Sequence, residues 1–448
     1  MNLNRIFNPK SIAIIGASDQ TKSVGWGLMK NILEGKSQRK VFAVNPYRQK
    51  IMGIKCLPSI LSIKQSIDLA IIAVPAIIVP KIIKECCDKK VGGIIVISAG
   101  FSEIGEKGKK IENQILQLTK KAQIPLIGPN CLGIIKPSIK LNASFAPASP
   151  QAGGVGFISQ SGAVVDAVVD SSLLGGYGFS TMVSYGNEAQ IDISDLLLWL
   201  EKDKETKVIT AYLEGVKDGR KFMKVAQKVA KVKPIIVIKA GKTEAGIRAA
   251  SSHTAALSGS SKVYSAAFRQ SGVIEVETIE ELFSTAKALA WQPRCKNGIA
   301  IVTNGGGFGV LMADYCQELG IKLTELSGKT IQKLVQSQVM NPAFSKRNPL
   351  DIVGDALADR YQLSIETLLE QKNIHGLLVI QAFQIMTEVE KNAKIIINAQ
   401  KKWKTKPIIS VFLGEKFSQT GIGLLEKNKI PNYFNLKMAA LAMKNLIK

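Results

Sequence analysis

Short apolar runs recur along this chain without the polar alternation of a half-exposed strand. The first five are "SIAIIG" (11–16), "VFAVN" (41–45), "DLAIIAV" (68–74), "GGIIVIS" (92–98) and "IPLIG" (124–128). Unbroken apolarity of this length reads as strands buried on both faces, and such strands belong to parallel sheets covered by helices. Glycine-containing turns and amphipathic stretches separate them, which specifies a doubly wound α/β unit. A second series follows at "VGFIS" (155–159), "FSTMVS" (179–184), "KVITAYLE" (207–214) and "PIIVIKAG" (234–241). A third has "GIAIVTNGGG" (298–307), "HGLLVIQ" (375–381) and "KPIISVFLG" (406–414).

Three α/β domains are expected, at 1–135, 150–290 and 297–448. The proline-rich "KPSIKLNASFAPASPQAGG" (136–154) reads as a linker, and "WQPRCKN" (291–297) as a second boundary. The longest apolar run, "LAIIAVPAIIVP" (69–80), is too short to span a bilayer and holds two prolines. The N-terminus reads as a first buried strand rather than a signal peptide, so a cytoplasmic protein is expected. Six cysteines without C-x-x-C, beside only two histidines, argue for reduced, buried thiols and against a zinc site. The net charge of +24 admits nucleic acid, an acidic small ligand or an acidic partner. Scattered lysines, with no basic arm and no aromatic–basic interleaving, rank nucleic acid last and leave a generally basic surface as the plain reading.

Three turns bear on chemistry. Gly16, Ala17 and Ser18 follow the first strand, where small residues let backbone N–H groups approach a phosphate. The second strand ends in Asn45–Pro46 where a dinucleotide site wants an acid, which argues against NAD. "FISQSGA" (157–163) and "IVTNGGGFG" (301–309) each run from strand through small residues into a helix, exposing free amides to an anion. Any of these alone also suits a ligand-free βα turn. "GKT" (241–243) is no P-loop, because Ile236 stands where the motif needs glycine.

His253 lies in "ASSHTA", among small residues. It lacks partners for a metal, and its neighbours do not suit a core histidine. A nucleophile or proton carrier fits better, since neutral imidazole attacks phosphorus near pH 7. Such a histidine needs a carboxylate to fix its tautomer. Glu214 closes a parallel strand at the end where these folds bind ligands, although a solvent-exposed loop acid is the competing reading. His375, just before "GLLVIQ", reads as an edge residue.

The segments "GAS", "NP", "SAGFSEIG", "GPNCLG", "FISQSGA", "YLEG", "EAGIRAASSHTAALSGS" and "TNGGG" occur in this order. Together they resemble the alpha subunits of ADP-forming (NDP-forming) acetyl-CoA synthetases, relatives of succinyl-CoA ligase, over nearly the whole length. The resemblance implies a CoA-binding Rossmann-type domain followed by two flavodoxin-like ligase domains. It implies interconversion of acyl-CoA, ADP and phosphate with acid, CoA and ATP through a phosphohistidine. His253 would be the phosphoryl carrier and Glu214 would orient it. Ser161 and Gly162, with Gly305 and Gly306, would lie at two helix starts around the phosphate. Gly16, Ala17, Ser18, Asn45, Pro46, Ser98, Ala99, Gly100, Pro129 and Asn130 would bind CoA. Asn187 would lie near the acyl or phosphate site. The family usually has glycine where Ala255 follows the histidine and threonine. With three domains filling the sequence, ADP or ATP and Mg²⁺ are expected on a separate ATP-grasp beta subunit, in a dimer of heterodimers. The competing functions are a CoA- or NAD-binding oxidoreductase or regulatory module, a nucleic-acid-binding protein, and a protein acyltransferase.

Overall fold

Each of those apolar runs is a strand, and each pairs in parallel with another of them. The structure is a computed structural model that describes residues 2–35, 39–253 and 260–448. It divides into two units, Met1–Glu277 and Thr278–Lys448.

The first unit holds two seven-stranded sheets. Across the first, the order is Lys50–Ile51, Ile54–Leu57, Lys40–Val44, Ser11–Ile15, Leu69–Ile72, Gly93–Val96 and Leu126–Ile127. The chain leaves Ser11–Ile15 toward one edge and later resumes on its other side at Leu69–Ile72. That reversal opens a crevice at the carboxyl ends of these two strands. The second sheet runs Ile274–Val276, Ile235–Lys239, Val208–Leu213, Ala152–Ser159, Phe179–Ser184, Gly133–Lys136 and Leu141–Ser144. Its reversal falls at Ala152–Ser159, flanked by Val208–Leu213 and Phe179–Ser184. The strand interiors are closed to solvent: Ile12, Ile14, Ile71, Ile95, Phe157, Ile209 and Val237 are each fully buried. Each such side chain contributes about 1.5–3 kcal/mol of burial.

The expected linker at 136–154 is instead part of the second sheet. Gly133–Lys136 and Leu141–Ser144 form an antiparallel hairpin, and residues 133–135 pair antiparallel with Phe179–Ser184. The prolines that suggested a linker sit in the turn Pro137–Ile139 and beyond the strand. A four-residue strand between them is too short to show periodicity. The Asn31 amide, on helix Val24–Glu34, donates to the carbonyls of Ser144 and Ala146, both at 2.9 Å, and so covers this edge.

The second unit is built on a four-stranded parallel sheet ordered Leu350–Asp351, Ile299–Thr303, Gly376–Gln381 and Ile408–Phe412. Helix Ile279–Trp291 belongs here and packs on helix Leu436–Leu446. His375 begins the Gly376–Gln381 strand, with its backbone N–H bonded to Gly298 O at 2.7 Å. It therefore lies at the opposite end of the sheet from the Gly305 turn. That strand is internal to the sheet, so His375 is not on an edge strand. Among the described residues, no helix is long and apolar enough to cross a membrane.

Phe7 is fully buried and stacks on Trp199 of helix Ile193–Lys202, with ring centroids 3.9 Å apart and planes at 24°. This contact ties the chain's first helix to a helix of the second sheet. Phe7→Ala is expected to destabilise the first unit by about 3–5 kcal/mol, measured as a lower denaturant midpoint.

Candidate functional site

Gly16 ends the first strand with φ +92°, and a Cβ there would stand 2.2 Å from Ala73 O. Only glycine lets the two strand ends of the reversal approach this closely. Asn45 closes the adjacent strand. Its amide donates to Ala17 O at 2.8 Å, and its Oδ1 accepts from Tyr47 N at 2.8 Å. Ser18 Oγ accepts from Gln20 N. Asn45 thus braces the turn, and no carboxylate occupies the position a dinucleotide ribose would need. Asn45 and Pro46 line a separate pocket of about 480 Å³ with Arg48, Lys50 and Lys55. Those cations suit a phosphate.

In the second sheet, Ser161 caps helix Gly162–Leu174 by accepting from Val164 N. Ser159 Oγ accepts from Ser161 N and donates to Ser161 O, which holds the turn rigid. Gln160 reaches across the reversal: its Oε1 accepts from Glu214 N at 2.5 Å and Gly215 N at 3.0 Å, and its Nε2 donates to Gly215 O. Lys239 is 3% exposed and donates to Glu214 O at 2.8 Å, with its ammonium 4.7 Å from the Tyr264 ring centroid. Burial holds the Lys239 ammonium below the usual lysine range. Glu214 is therefore anchored through its backbone from both sides.

The two sheets meet at a cavity of about 850 Å³. It gathers Ser98, Ala99, Asn130, Ser161, Gly162, Asn187 and Glu214, all singled out above, along one wall or another. Ala73 and Val74, against which Gly16 packs, line it too. Ser98 Oγ donates to Val74 O and accepts from Val74 N, joining two strand ends. Asn130 Nδ2 donates to Asn187 Oδ1 at 3.1 Å. Asn187 Nδ2 lies 2.6 Å from Glu103 Oε2, 3.0 Å from Glu112 Oε2 and 3.1 Å from Ser102 Oγ. Glu103 Oε1 also accepts from Gly100 N at 2.6 Å. Although burial acts the other way, these donors hold the Glu103 carboxyl below its ordinary range. Cys131 lines the cavity, but burial pushes its thiol up to about 12, so it offers no thiolate.

Beside Asn187 sits Glu188, 4% exposed, with its carboxylate accepting from Ile193 N. Lys217 Nζ holds the carbonyls of Asn187 and Glu188 at 2.8 and 2.7 Å. Burial raises Glu188 to about 7; Lys217 and Lys221 oppose the rise and Asp192 adds to it. The neighbouring Tyr185 hydroxyl is buried without a hydrogen-bond partner among the described residues.

Helix Glu244–His253 ends on the histidine. The side chain of His253, like Ala255, lies outside the described residues. Gly305 and Gly306 belong to the second unit, where Gly305 caps helix Gly306–Glu318. Thr303 Oγ1 accepts from Gly305 N and donates to Gly305 O, both at 3.0 Å, repeating the Ser159–Ser161 arrangement. Asp351 crowds this start: its Oδ2 stands 2.5 Å from where a Cβ on Gly306 would be. The residues missed from sequence are Glu103, Glu112, Gln160, Lys217, Lys239 and the Arg48 cluster. "SAGFSEIG" already contained Glu103, but nothing local shows that its carboxylate reaches an amide 84 residues away.

Residues 10–137 match the CoA binding domain, 152–289 the succinyl-CoA ligase like flavodoxin domain and 299–442 the ligase-CoA domain. The chain is 41% identical over its whole length to the alpha subunit of acetate–CoA ligase (ADP-forming) II of Pyrococcus furiosus, and covers 97% of it. It is 43% identical, over 98% of its length, to acetate–CoA ligase (ADP-forming) I of Archaeoglobus fulgidus. It spans 63% of the length of that relative and of its Methanocaldococcus jannaschii counterpart. The acetyl-coenzyme A synthetase 1 of Ca. Korarchaeum cryptofilum, solved in complex with phosphate and ADP, superposes with a TM-score of 0.94 at 36% identity, over 99% of this chain and 96% of that one. The fold is therefore a CoA-binding Rossmann-type domain followed by two flavodoxin-like succinyl-CoA-ligase domains. The chain belongs to the family of ADP-forming acetate–CoA ligases.

The Glu188 carboxyl is raised in the folded state, so the native protein holds its proton at pH values where the unfolded chain has released it. Its contribution to stability is present below the ordinary glutamate range near 4.5 and is lost as pH rises toward about 7. That loss is on the order of 3 kcal/mol. Denaturant unfolding across this window is expected to show the decline in the wild type and a flatter profile in Glu188→Gln.

Proposed function

We propose that this chain is the alpha subunit of an ADP-forming acid–CoA ligase, interconverting acyl-CoA, ADP and phosphate with acid, CoA and ATP. The observation that carries the reading is the single cavity where the first sheet's turns meet the Gly162 helix start and Glu214 of the second sheet. Full-length likeness to a named alpha subunit supports it.

In this reading CoA lies along Gly16, Ala17, Ser18, Asn45, Pro46, Ser98, Ala99, Gly100, Pro129 and Asn130, with the Arg48 cluster available to its phosphates. Phosphate enters at Ser161 and Gly162, whose helix-start amides favour an anion. It attacks the thioester carbonyl; the C–S bond breaks, CoA leaves as the thiol, and an acyl phosphate forms. Asn187, held by Glu103 and Glu112, and Asn130 stand where the acyl group would be oriented. His253 then attacks phosphorus and the acid departs as the carboxylate. Charge developing on the transferring group meets donors already in place. Glu214, fixed by Gln160 and Lys239, accepts the imidazole N–H and sets the attacking nitrogen.

His253 then delivers the phosphoryl group to ADP on an ATP-grasp beta subunit, where Mg²⁺ supplies charge neutralisation. Gly305 and Gly306 would supply the second helix start. A dimer of heterodimers in the cytoplasm completes the proposal, with domains at 1–135, 150–290 and 297–448.

Acetyl-CoA with ³²P-phosphate is expected to give the chain, mixed with its partner subunit, an acid-labile, base-stable label. His253→Ala abolishes that label, and its persistence there would remove the carrier role. Glu214→Gln is expected to slow label formation by about 10²–10⁴-fold, read by rapid quench.

A further inference from the structure

Asn187 reaches the cavity from an inverted turn. Gly186 and Glu188, on either side of it, both have left-handed backbone, at φ +54° and +56°. Glycine adopts that conformation freely, whereas glutamate does so at a cost. Such strain persists only where the surroundings over-determine it, and it gathers at functional sites. The N–H groups of Asn187 and Glu188 bond to Pro129 O and Tyr185 O. Their carbonyls both accept from Lys217 Nζ, at 2.8 and 2.7 Å. The Glu188 carboxylate turns to Ile193 N instead.

Lys217 stands three residues after Glu214, in the loop between strand Val208–Leu213 and helix Gly219–Ala230. That loop is itself well held. Gln160 accepts from the N–H groups of Glu214 and Gly215, Lys239 donates to Glu214 O, and the Tyr264 hydroxyl accepts from Val216 N at 3.1 Å. Asn187 and Glu214 both line the cavity, so the Lys217 side chain joins the two loops that carry them. Four residues on, Lys221 ties the same two stretches through residues that do not line the cavity, pairing with Asp192 and Asp195 at 2.7 and 3.0 Å.

We propose that Lys217 is a positioning residue for the ligase reaction, holding the Asn187 turn in register with Glu214. The inference rests on the ligase reading above. In that reading Asn187 orients the acyl group and Glu214 steers phosphoryl transfer, so both act on one acyl phosphate. Their relative placement then enters the rate, because a misplacement of about 1 Å costs on the order of a hundredfold. An ammonium suits the task, since it serves two carbonyls at once and adds no acceptor.

The test uses the full chain with its partner subunit, acetyl-CoA and ³²P-phosphate. Rapid quench reads the rate of phosphohistidine formation, steady-state kinetics the KM for CoA, and denaturant the stability. Lys217→Met is expected to slow label formation about ten- to hundredfold with the KM for CoA unchanged. Lys217→Arg recovers most of the rate, because a guanidinium can also donate to both carbonyls. Lys221→Met removes the parallel tie and lowers stability, yet leaves the rate within about twofold. A Lys217→Met enzyme at the wild-type rate overturns the proposal. So does slowing by Lys217→Met and Lys221→Met in proportion to their loss of stability, which would make both lysines structural ties alone. If the wild type forms no phosphohistidine and ligates no acid, the ligase reading falls and takes this inference with it; normal wild-type turnover with an unaffected Lys217→Met sinks the Lys217 role alone.

Discussion

The first unit depends on a seam where residues 126–130 run beside residues 187–191. Asn187 N donates to Pro129 O, Ala189 N to Gly128 O and Ile191 N to Leu126 O. Gly186, at φ +54°, lets the chains touch, since a Cβ there would stand 2.1 Å from Asn130 O. The last strand of the first sheet thus leads straight into the second sheet, and the carboxyl ends of both sheets open onto one cavity. Without this seam, the small-residue turns of the two sheets would be unrelated features on separate folds.

Side-chain polarity at the seam follows from charge. Two carboxylates, Glu103 and Glu112, both call for the N–H side of the Asn187 amide. Its oxygen is thereby turned to Asn130. Amide orientation, otherwise nearly free to flip, is fixed by acceptors that cannot donate. Close by, Lys217 pins two successive carbonyls and Glu188 holds an N–H at its back. At the cavity rim these side chains add to the backbone bonds of the seam, which suits loops that must keep one geometry.

Helix starts recur as the chemical element. Ser159 and Thr303 each clamp a residue two positions on, in different sheets, with the same pair of hydrogen bonds. Their surroundings differ. The Gly162 start opens on a cavity that Glu214 also lines, whereas the Gly306 start has Asp351 against it. A bare helix start favours any anion, so the neighbouring charge, and not the turn itself, distinguishes the two.

Much of the architecture was legible because burial on both faces leaves a mark in every strand: the uninterrupted runs from Ser11 to Phe412 located the parallel strands, and the small residues after them located Gly16, Ser161 and Gly305. The hairpin at 133–144 was not legible, since its strands are four residues each and prolines surround them. Asn187, Asn130 and Glu214 could be named from motifs, but the contacts of Glu103, Gln160 and Lys239 could not, because each partner lies tens of residues away. Local sequence determines what each segment prefers to become, since apolar periodicity and turn chemistry act over a few residues. Which turns share a cavity, and which distant side chain braces each of them, was decided only by tertiary packing, because desolvation and hydrogen bonding depend on what the rest of the chain brings alongside.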